Sequence, residues 1–60
     1  MDLKYKLKDR VRITELEISG IVRRIQIEES GILYEVRYFA NGEAHGVWFY
    51  ENELEVIKDA

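Results

Sequence analysis

The chain has 60 residues, neither cysteine nor proline, and a formal net charge of −3. This length predicts a single domain over residues 1–60 with a small core, since so short a chain buries only about 60% of its unfolded surface. The absence of cysteine excludes disulfides and zinc–thiolate sites, and a hydrophobic content of 47% argues against disorder.

Charge is distributed unevenly along the chain. Residues 1–24 carry seven basic and four acidic side chains, whereas residues 25–60 carry two basic and eight acidic ones. Such asymmetry marks some nucleic-acid sites, but within a folded domain the two halves can also neutralise each other.

The sequence contains no candidate membrane span and no export signal. No apolar run approaches the roughly 20 residues that a membrane span needs. Met1–Lys8 lacks the apolar centre of a signal peptide. Together with the lack of cysteine, these features lead us to expect a cytoplasmic protein.

The first predicted element is a strand over about residues 8–14, where Val11 and Ile13 alternate with charged residues. Thr14–Ser19 follows as a loop. The second predicted strand begins at Gly20 and runs through Ile27.

The second strand departs from strict alternation. Val22 is followed by Ile25 and Ile27, a spacing that predicts a bulge or sharp bend near Arg23-Arg24. The strand then ends in a polar turn, Glu28–Gly31.

The second half of the chain predicts a hairpin followed by a short closing strand. The third strand covers Ile32–Phe39, and Asn41-Gly42 forms a tight turn because both residues tolerate positive φ angles. The fourth strand runs to Tyr50, Glu51–Glu53 forms one helical turn, and Leu54–Ile57 is the last strand. Five short strands in 60 residues predict an all-β fold closed into a small barrel, because a flat sheet of this size leaves its edges unpaired.

The first half of the chain resembles the KOW domains, which belong to the small SH3-like barrels together with the Tudor domains. Lys8–Ile13 and Gly20–Ile25 are similar to the KOW pattern, a Gly-Asp-x-Val-x-Val strand followed by a Gly-x-Val-x-x-Ile strand. Lys8 stands where the KOW pattern has glycine.

The second half resembles small phage and prophage proteins of the same fold, which commonly end in an aromatic-x-x-Glu-x-Glu-Leu segment. Tyr34–Val36 and Trp48–Leu54 carry this likeness. The resemblance covers about residues 6–57 and implies a five-stranded SH3-like barrel with a single helical turn before the last strand. It implies no particular function, because this barrel hosts many unrelated ones.

The hairpin register assigns alternate residues of the third and fourth strands to opposite faces of the sheet. The predicted core face carries Tyr34, Val36, Val47 and Phe49, with Tyr38 opposite His45. The other face carries Leu33, Arg37, Phe39, Trp48 and Tyr50, beside Glu35.

This second face is the candidate binding surface. Trp, Tyr and Arg are enriched at the centres of protein interfaces, which favours a contact with a protein partner or a second copy of the chain. The alternative is that the rings cover the sheet as a second small core, with Trp48 packed on its neighbours across Gly46.

A second candidate surface is basic. Lys6, Lys8, Arg10 and Arg12 place a basic residue at every second position up to and into the first strand, and Arg23 and Arg24 lie near the bend, which is typical of a KOW-like nucleic-acid binder. In the competing interpretation, the resemblance to the SH3-like barrels implies that the last strand lies beside the first. With Leu54 and Val56 directed inward, the basic row then faces the acidic row of Glu53 and Glu55. Arg23 and Arg24 are then the best phosphate ligands.

Nothing in the pattern predicts catalysis or a cofactor. His45 is the single histidine and lies opposite Tyr38, and both serines adjoin glycine at predicted turns. Glu28-Glu29 and Glu51–Glu55 do not match a calcium loop. We therefore expect a non-enzymatic protein without a metal or small-molecule cofactor.

Overall fold

A computed structural model describes residues 3–57, which form one antiparallel five-stranded sheet and a single 3₁₀ turn. The strands are β1 (Arg10–Ile13), β2 (Ile18–Glu28), β3 (Gly31–Ala40), β4 (Glu43–Tyr50) and β5 (Leu54–Val56), with the 3₁₀ turn at Glu51–Glu53. The all-β prediction and the predicted helical turn are confirmed. Residues 1–2 and 58–60 of the predicted domain lie outside the described residues.

The strand order across the sheet is β4-β3-β2-β1-β5. The last strand lies beside the first, as predicted, with Ile13 opposite Leu54 and Val11 opposite Val56. Within the described residues β4 and β5 do not pair with each other, so the sheet is open where the sequence predicted a closed barrel.

The β3–β4 hairpin has the predicted two-residue turn. Asn41 and Gly42 adopt φ angles of 53° and 75°, the left-handed values that a type I′ turn requires. Ala40 pairs with Glu43, and the register then continues without a break to Leu33 opposite Tyr50. The predicted pairing is therefore confirmed along the whole hairpin.

The predicted irregularity in β2 is a β-bulge at Arg23. Val22 pairs with Val36 and Arg24 pairs with Glu35, which leaves Arg23 without an opposite residue on β3. The extra residue shifts the alternation by one position, so Val22 and Ile25 both face the core.

The first two strands differ from the prediction at their starts. β1 begins at Arg10 because Lys8 adopts a φ of 74°, which an extended strand does not allow. The Lys8 backbone N–H instead donates to the Val22 carbonyl oxygen over 2.8 Å. β2 begins at Ile18, two residues before the predicted start, since Ile18 pairs with Ile13 directly after the turn.

The core lies on one side of the sheet and receives residues from every strand and from the segment before β1. Its buried members are Tyr5, Val11, Ile13, Val22, Tyr34, Val36, Phe49 and Leu54. Tyr5, which no sequence pattern singled out, is only 1% exposed.

Tyr5 fastens the N-terminal segment to the far end of the sheet. Its hydroxyl donates to the Leu54 carbonyl oxygen over 2.9 Å, and its ring meets Tyr34 edge-on with 5.1 Å between ring centroids. Burial raises the pKa of Tyr5, because the charged phenolate would be poorly hydrated in this environment.

Two predicted core positions are wrong. Strand alternation directs Val47 and Val56 to the core side of the sheet, as expected, but their side chains are 39% and 54% exposed. Both lie on edge strands, so each has a neighbouring strand on one side only. Phe49 lies on the same edge strand as Val47, but beside the 3₁₀ turn, and is buried.

Substituting Gly20→Ala should destabilise the fold strongly. A Cβ at Gly20 would lie 2.6 Å from the Arg37 carbonyl oxygen and 2.6 Å from Val36 Cγ1, so backbone would have to move. We expect a loss of about 1–3 kcal/mol in the free energy of unfolding, the range for an overpacked core. The control is Gly46→Ala, where a Cβ meets nothing closer than 3.8 Å. Chemical denaturation of both variants measures the difference, and equal stability would contradict the close approach.

Tyr5 and Tyr34 form a matched pair for a second prediction. Tyr5→Phe should cost about 1 kcal/mol of unfolding free energy, because the buried Leu54 carbonyl loses its donor. Tyr34→Phe should cost nothing, since the Tyr34 hydroxyl has no hydrogen-bond partner among residues 3–57. Urea denaturation of the three proteins tests this ranking.

The same pair predicts an alkaline transition. Because the pKa of Tyr5 is raised in the folded state, its stabilising effect is complete below the ordinary tyrosine value of 10.0 and is lost as the pH rises above it. The free energy of unfolding should therefore fall less above that pH in Tyr5→Phe than in the wild type. Tyr34→Phe leaves Tyr5 in place and should show the same fall as the wild type.

Candidate functional site

The surface opposite the core, which we call the outer face, is formed by alternate residues of β2, β3 and β4. Its rows across the sheet are fixed by pairing: Ile21, Arg37 and Gly46; Arg24, Glu35 and Trp48; Gln26, Leu33 and Tyr50. Phe39 and Ala44 form the row nearest the hairpin turn.

The five residues predicted as a binding surface all lie on the outer face. Phe39 is the most exposed of the three aromatic rings, at 68%, while Tyr50 and Trp48 are 42% and 38% exposed. Leu33 is half-buried and Arg37 is exposed. The exposed fraction of Trp48 is thus lower than the binding interpretation predicts and higher than the second-core interpretation predicts.

Arg37 occupies the centre of the outer face. Its guanidinium carbon lies 5.6 Å from the centroid of the Phe39 ring, a cation–π contact that holds both side chains over β3. Arg37 also borders two surface depressions, one toward β4 and one toward β1.

The larger depression has a volume of about 390 Å³ and is mainly basic. Arg23, Arg24 and Arg37 border it, with Glu35, His45 and Gly46 completing the wall. The bulge at Arg23 places two consecutive arginines beside it. Glu35 is the single carboxylate of this wall, and its Oε1 lies 3.6 Å from Arg24 Nε.

The smaller depression, of about 160 Å³, lies between Arg10 and Phe39. Ile21 and Gly20 form part of its lining, and Ile21 is 42% exposed. The outer face therefore offers guanidinium groups for anions beside exposed apolar surface.

The predicted basic row does not form one ribbon. Lys6 and Lys8 precede β1 in an irregular turn, where the Lys6 backbone N–H donates to Asp9 Oδ2 over 2.9 Å. Arg12 pairs instead with acidic side chains, at 3.5 Å from Glu55 and 4.0 Å from Glu17. Pairing between the first and last strands is thus confirmed at Arg12.

Arg10, Arg23 and Arg37 form no ion pair with another residue in the described part of the chain. Arg23 and Arg24, predicted as phosphate ligands, and Arg37, predicted as part of the aromatic surface, lie around one depression. The sequence patterns predicted them as two separate sets. Combining the bulge with the hairpin register would have predicted that they lie together.

His45 and the acidic side chains are the remaining candidates for chemistry. His45 stacks on Tyr38, with 5.3 Å between ring centroids and 26° between ring planes, as cross-strand neighbours. Among residues 3–57, no three histidine, aspartate or glutamate side chains cluster closely enough to hold a metal ion. In the same part of the chain, no helix has the length and apolarity to cross a membrane.

Comparison of the chain with protein-family models, with curated proteins and with solved structures found no match.

Exposure on the outer face predicts a contrast between two phenylalanines. Phe39→Ala should lower the free energy of unfolding by less than about 1 kcal/mol, because Phe39 is 68% exposed. Phe49→Ala should cost about 3–5 kcal/mol, because Phe49 is 8% exposed and belongs to the core. Thermal or urea denaturation measures both, and a costly Phe39→Ala would mean that the outer face is a second core.

Proposed function

We propose that this chain is a non-enzymatic interaction module that binds a protein partner, or a second copy of itself, through the outer face. The observation that carries the proposal is the position of Arg37, which lies over the exposed ring of Phe39 and borders a depression on each side. Arginine and aromatic side chains of this kind dominate the energetics of protein interfaces.

The outer face also defines the chemistry of its partner. Arg10, Arg23 and Arg37 favour carboxylates, and Phe39, Trp48 and Tyr50 favour apolar side chains that bury their exposed surface. The partner in this proposal is therefore an acidic protein segment with aromatic or aliphatic residues. The predicted cytoplasmic location belongs to the same proposal, and the lack of cysteine supports it.

The SH3-like barrel remains our proposal for the fold family, including its likeness to KOW, Tudor and small phage or prophage proteins. Three observations support it. β5 lies beside β1, a 3₁₀ turn precedes β5, and β2 has a bulge at Arg23 in its pairing with β3. Lys8 adds a fourth, because it adopts a φ of 74° where the KOW pattern has glycine.

A KOW-like nucleic-acid-binding function is the second candidate. It is favoured by the convergence of Arg23, Arg24 and Arg37 around one depression in a chain whose net charge is −3. Lys6, Lys8 and Arg10 would extend this contact along the side of β1, while Arg12 is occupied by Glu55.

The protein-binding proposal predicts which peptides the chain selects. From a random peptide library, we expect acidic sequences with aromatic or aliphatic residues, whose addition shifts backbone amide signals of the outer face in ¹⁵N NMR spectra. Phe39→Ala and Arg37→Ala should each weaken binding about tenfold or more, as interface centres do. Val56→Ala is the matched control, because Val56 is 54% exposed on a different part of the sheet. Selected peptides that bind elsewhere would refute the proposal.

Salt dependence separates the two candidates. If the chain binds single-stranded nucleic acid through three arginines, the logarithm of affinity should fall with the logarithm of salt concentration with a slope of about −2. Binding of a selected peptide should respond less, because its apolar contacts are not screened. No chemical-shift change with single-stranded RNA or duplex DNA at about 50 mM salt would remove the nucleic-acid candidate.

A further inference from the structure

β4 is a long edge strand without the features that normally prevent edge pairing. It has eight residues and pairs only with β3 in the described part of the chain. Natural edge strands are protected by lysine, proline, a bulge or shortness. β4 contains no lysine or proline, its register is continuous, and its single charged residue, Glu43, lies at its start. The opposite edge, β5, has three residues.

The hairpin determines which backbone groups of β4 face outward. In a hairpin with a two-residue turn, the residues flanking the turn, Ala40 and Glu43, form a hydrogen-bonded pair, and bonding alternates from there. Ala44, Gly46 and Trp48 therefore direct their N–H and C=O groups away from β3. Tyr50 follows the same alternation, and its N–H donates to Glu53 Oε1 over 2.8 Å, as an outward group would.

We propose that β4 pairs with β4 of a second copy of this chain, antiparallel, with Gly46 on the two-fold axis. In this register Gly46 faces the partner's Gly46, and Ala44 faces the partner's Trp48. All outward groups from Ala44 to Trp48 then find partners, which gives six backbone hydrogen bonds across the interface. The inference goes beyond the proposed function, because it uses the edge of the sheet rather than the outer face.

Charge disfavours the neighbouring register toward Tyr50, and side-chain size favours the axis at Gly46. Moving the axis by one residue, to Val47, sets Glu43 opposite the partner's Glu51, which is repulsive. It also requires the Tyr50 N–H, which Glu53 already binds. With the axis at Gly46, Glu43 faces Phe49, and the large Trp48 ring faces the small Ala44 side chain.

A second copy also accounts for the exposure of Val47. Val47 points to the core side yet is 39% exposed, because nothing in residues 3–57 lies beyond β4. In the dimer the partner's His45 would lie beside it. The strand thus supplies its own complement, because it is nearly uncharged and its small Ala44 faces the large Trp48 of the partner.

Analytical ultracentrifugation across a concentration series tests the proposal first. The interface is small, so we expect a dissociation constant on the order of 10–1000 µM, typical of transient contacts. Gly46→Pro removes the outward N–H without removing a bond to β3 and should weaken the dimer at least about tenfold. Gly46→Ala keeps that N–H and has room for its Cβ, with the nearest atom at 3.8 Å, and should dimerise like the wild type.

A cysteine cross-link tests the register and remains informative if Gly46→Pro fails to fold. The chain has no cysteine, so Gly46→Cys introduces a single thiol. Across the axis the two Cα atoms should be about 5.5 Å apart, within the range that a disulfide spans. Ala44→Cys is the control, because its two copies should lie about 14 Å apart. Under mild oxidation Gly46→Cys should form the covalent dimer rapidly and Ala44→Cys should not.

A monomer at every concentration, or equal cross-linking of the two cysteine variants, would overturn the proposal. A dimer that survives Gly46→Pro would also overturn it, by assigning self-association to another surface. Phe39 lies on β3, away from the edge, so Phe39→Ala, which should weaken peptide binding, should dimerise like the wild type. Loss of the dimer and loss of peptide binding are therefore separate results.

Discussion

The register of β3 against its two neighbours determines where every other part of the molecule lies. Successive side chains of a strand point to opposite faces, so a shift of one residue would exchange the core with the surface. Two local features fix this register. The Asn41-Gly42 turn sets the pairing with β4, and the bulge at Arg23 adjusts the pairing with β2. Without the bulge, Val22 and Ile25 could not both face the core.

The same turn links the outer face to the free edge of the sheet. Along β4, the side chains alternate between the two faces of the sheet, and the backbone groups alternate between facing β3 and facing away from it. Both alternations are counted from the same two-residue turn. Ala44 and Trp48 therefore contribute side chains to the outer face, and together with Gly46 they contribute free backbone groups to the edge. Edge pairing through Gly46 would join two outer faces side by side, with the two Arg37 Cα atoms about 14 Å apart.

The features that could be predicted from the sequence are those with a local chemical signature. The turn, the bulge and the residues of the outer face all followed from spacing and from residues with special φ preferences. The position of β5 beside β1 was implied by the resemblance to the SH3-like barrels. The irregular turn at Lys8 could not be foreseen, since lysine is an unusual residue for a φ of 74°.

Features that depend on distant neighbours could not be predicted from the sequence. Tyr5 is buried because Tyr34 and Leu54 meet it from across the fold. Val47 is exposed because β4 ends the sheet, although its alternation is that of a core residue. The open sheet has the same origin, since pairing between β4 and β5 depends on the curvature of all five strands.

The arginines and the exposed rings of the outer face make unequal contributions to binding. Surface ion pairs contribute about 0–1 kcal/mol each, so fold stability alone places little constraint on whether Arg23 and Arg37 are paired. Fully burying a phenylalanine side chain contributes about 1.5–3 kcal/mol. Most of the Phe39 surface is unused in the isolated chain, being 68% exposed. The rings therefore hold the larger share of the available binding free energy, and the arginines act mainly by selecting an anionic partner and orienting it.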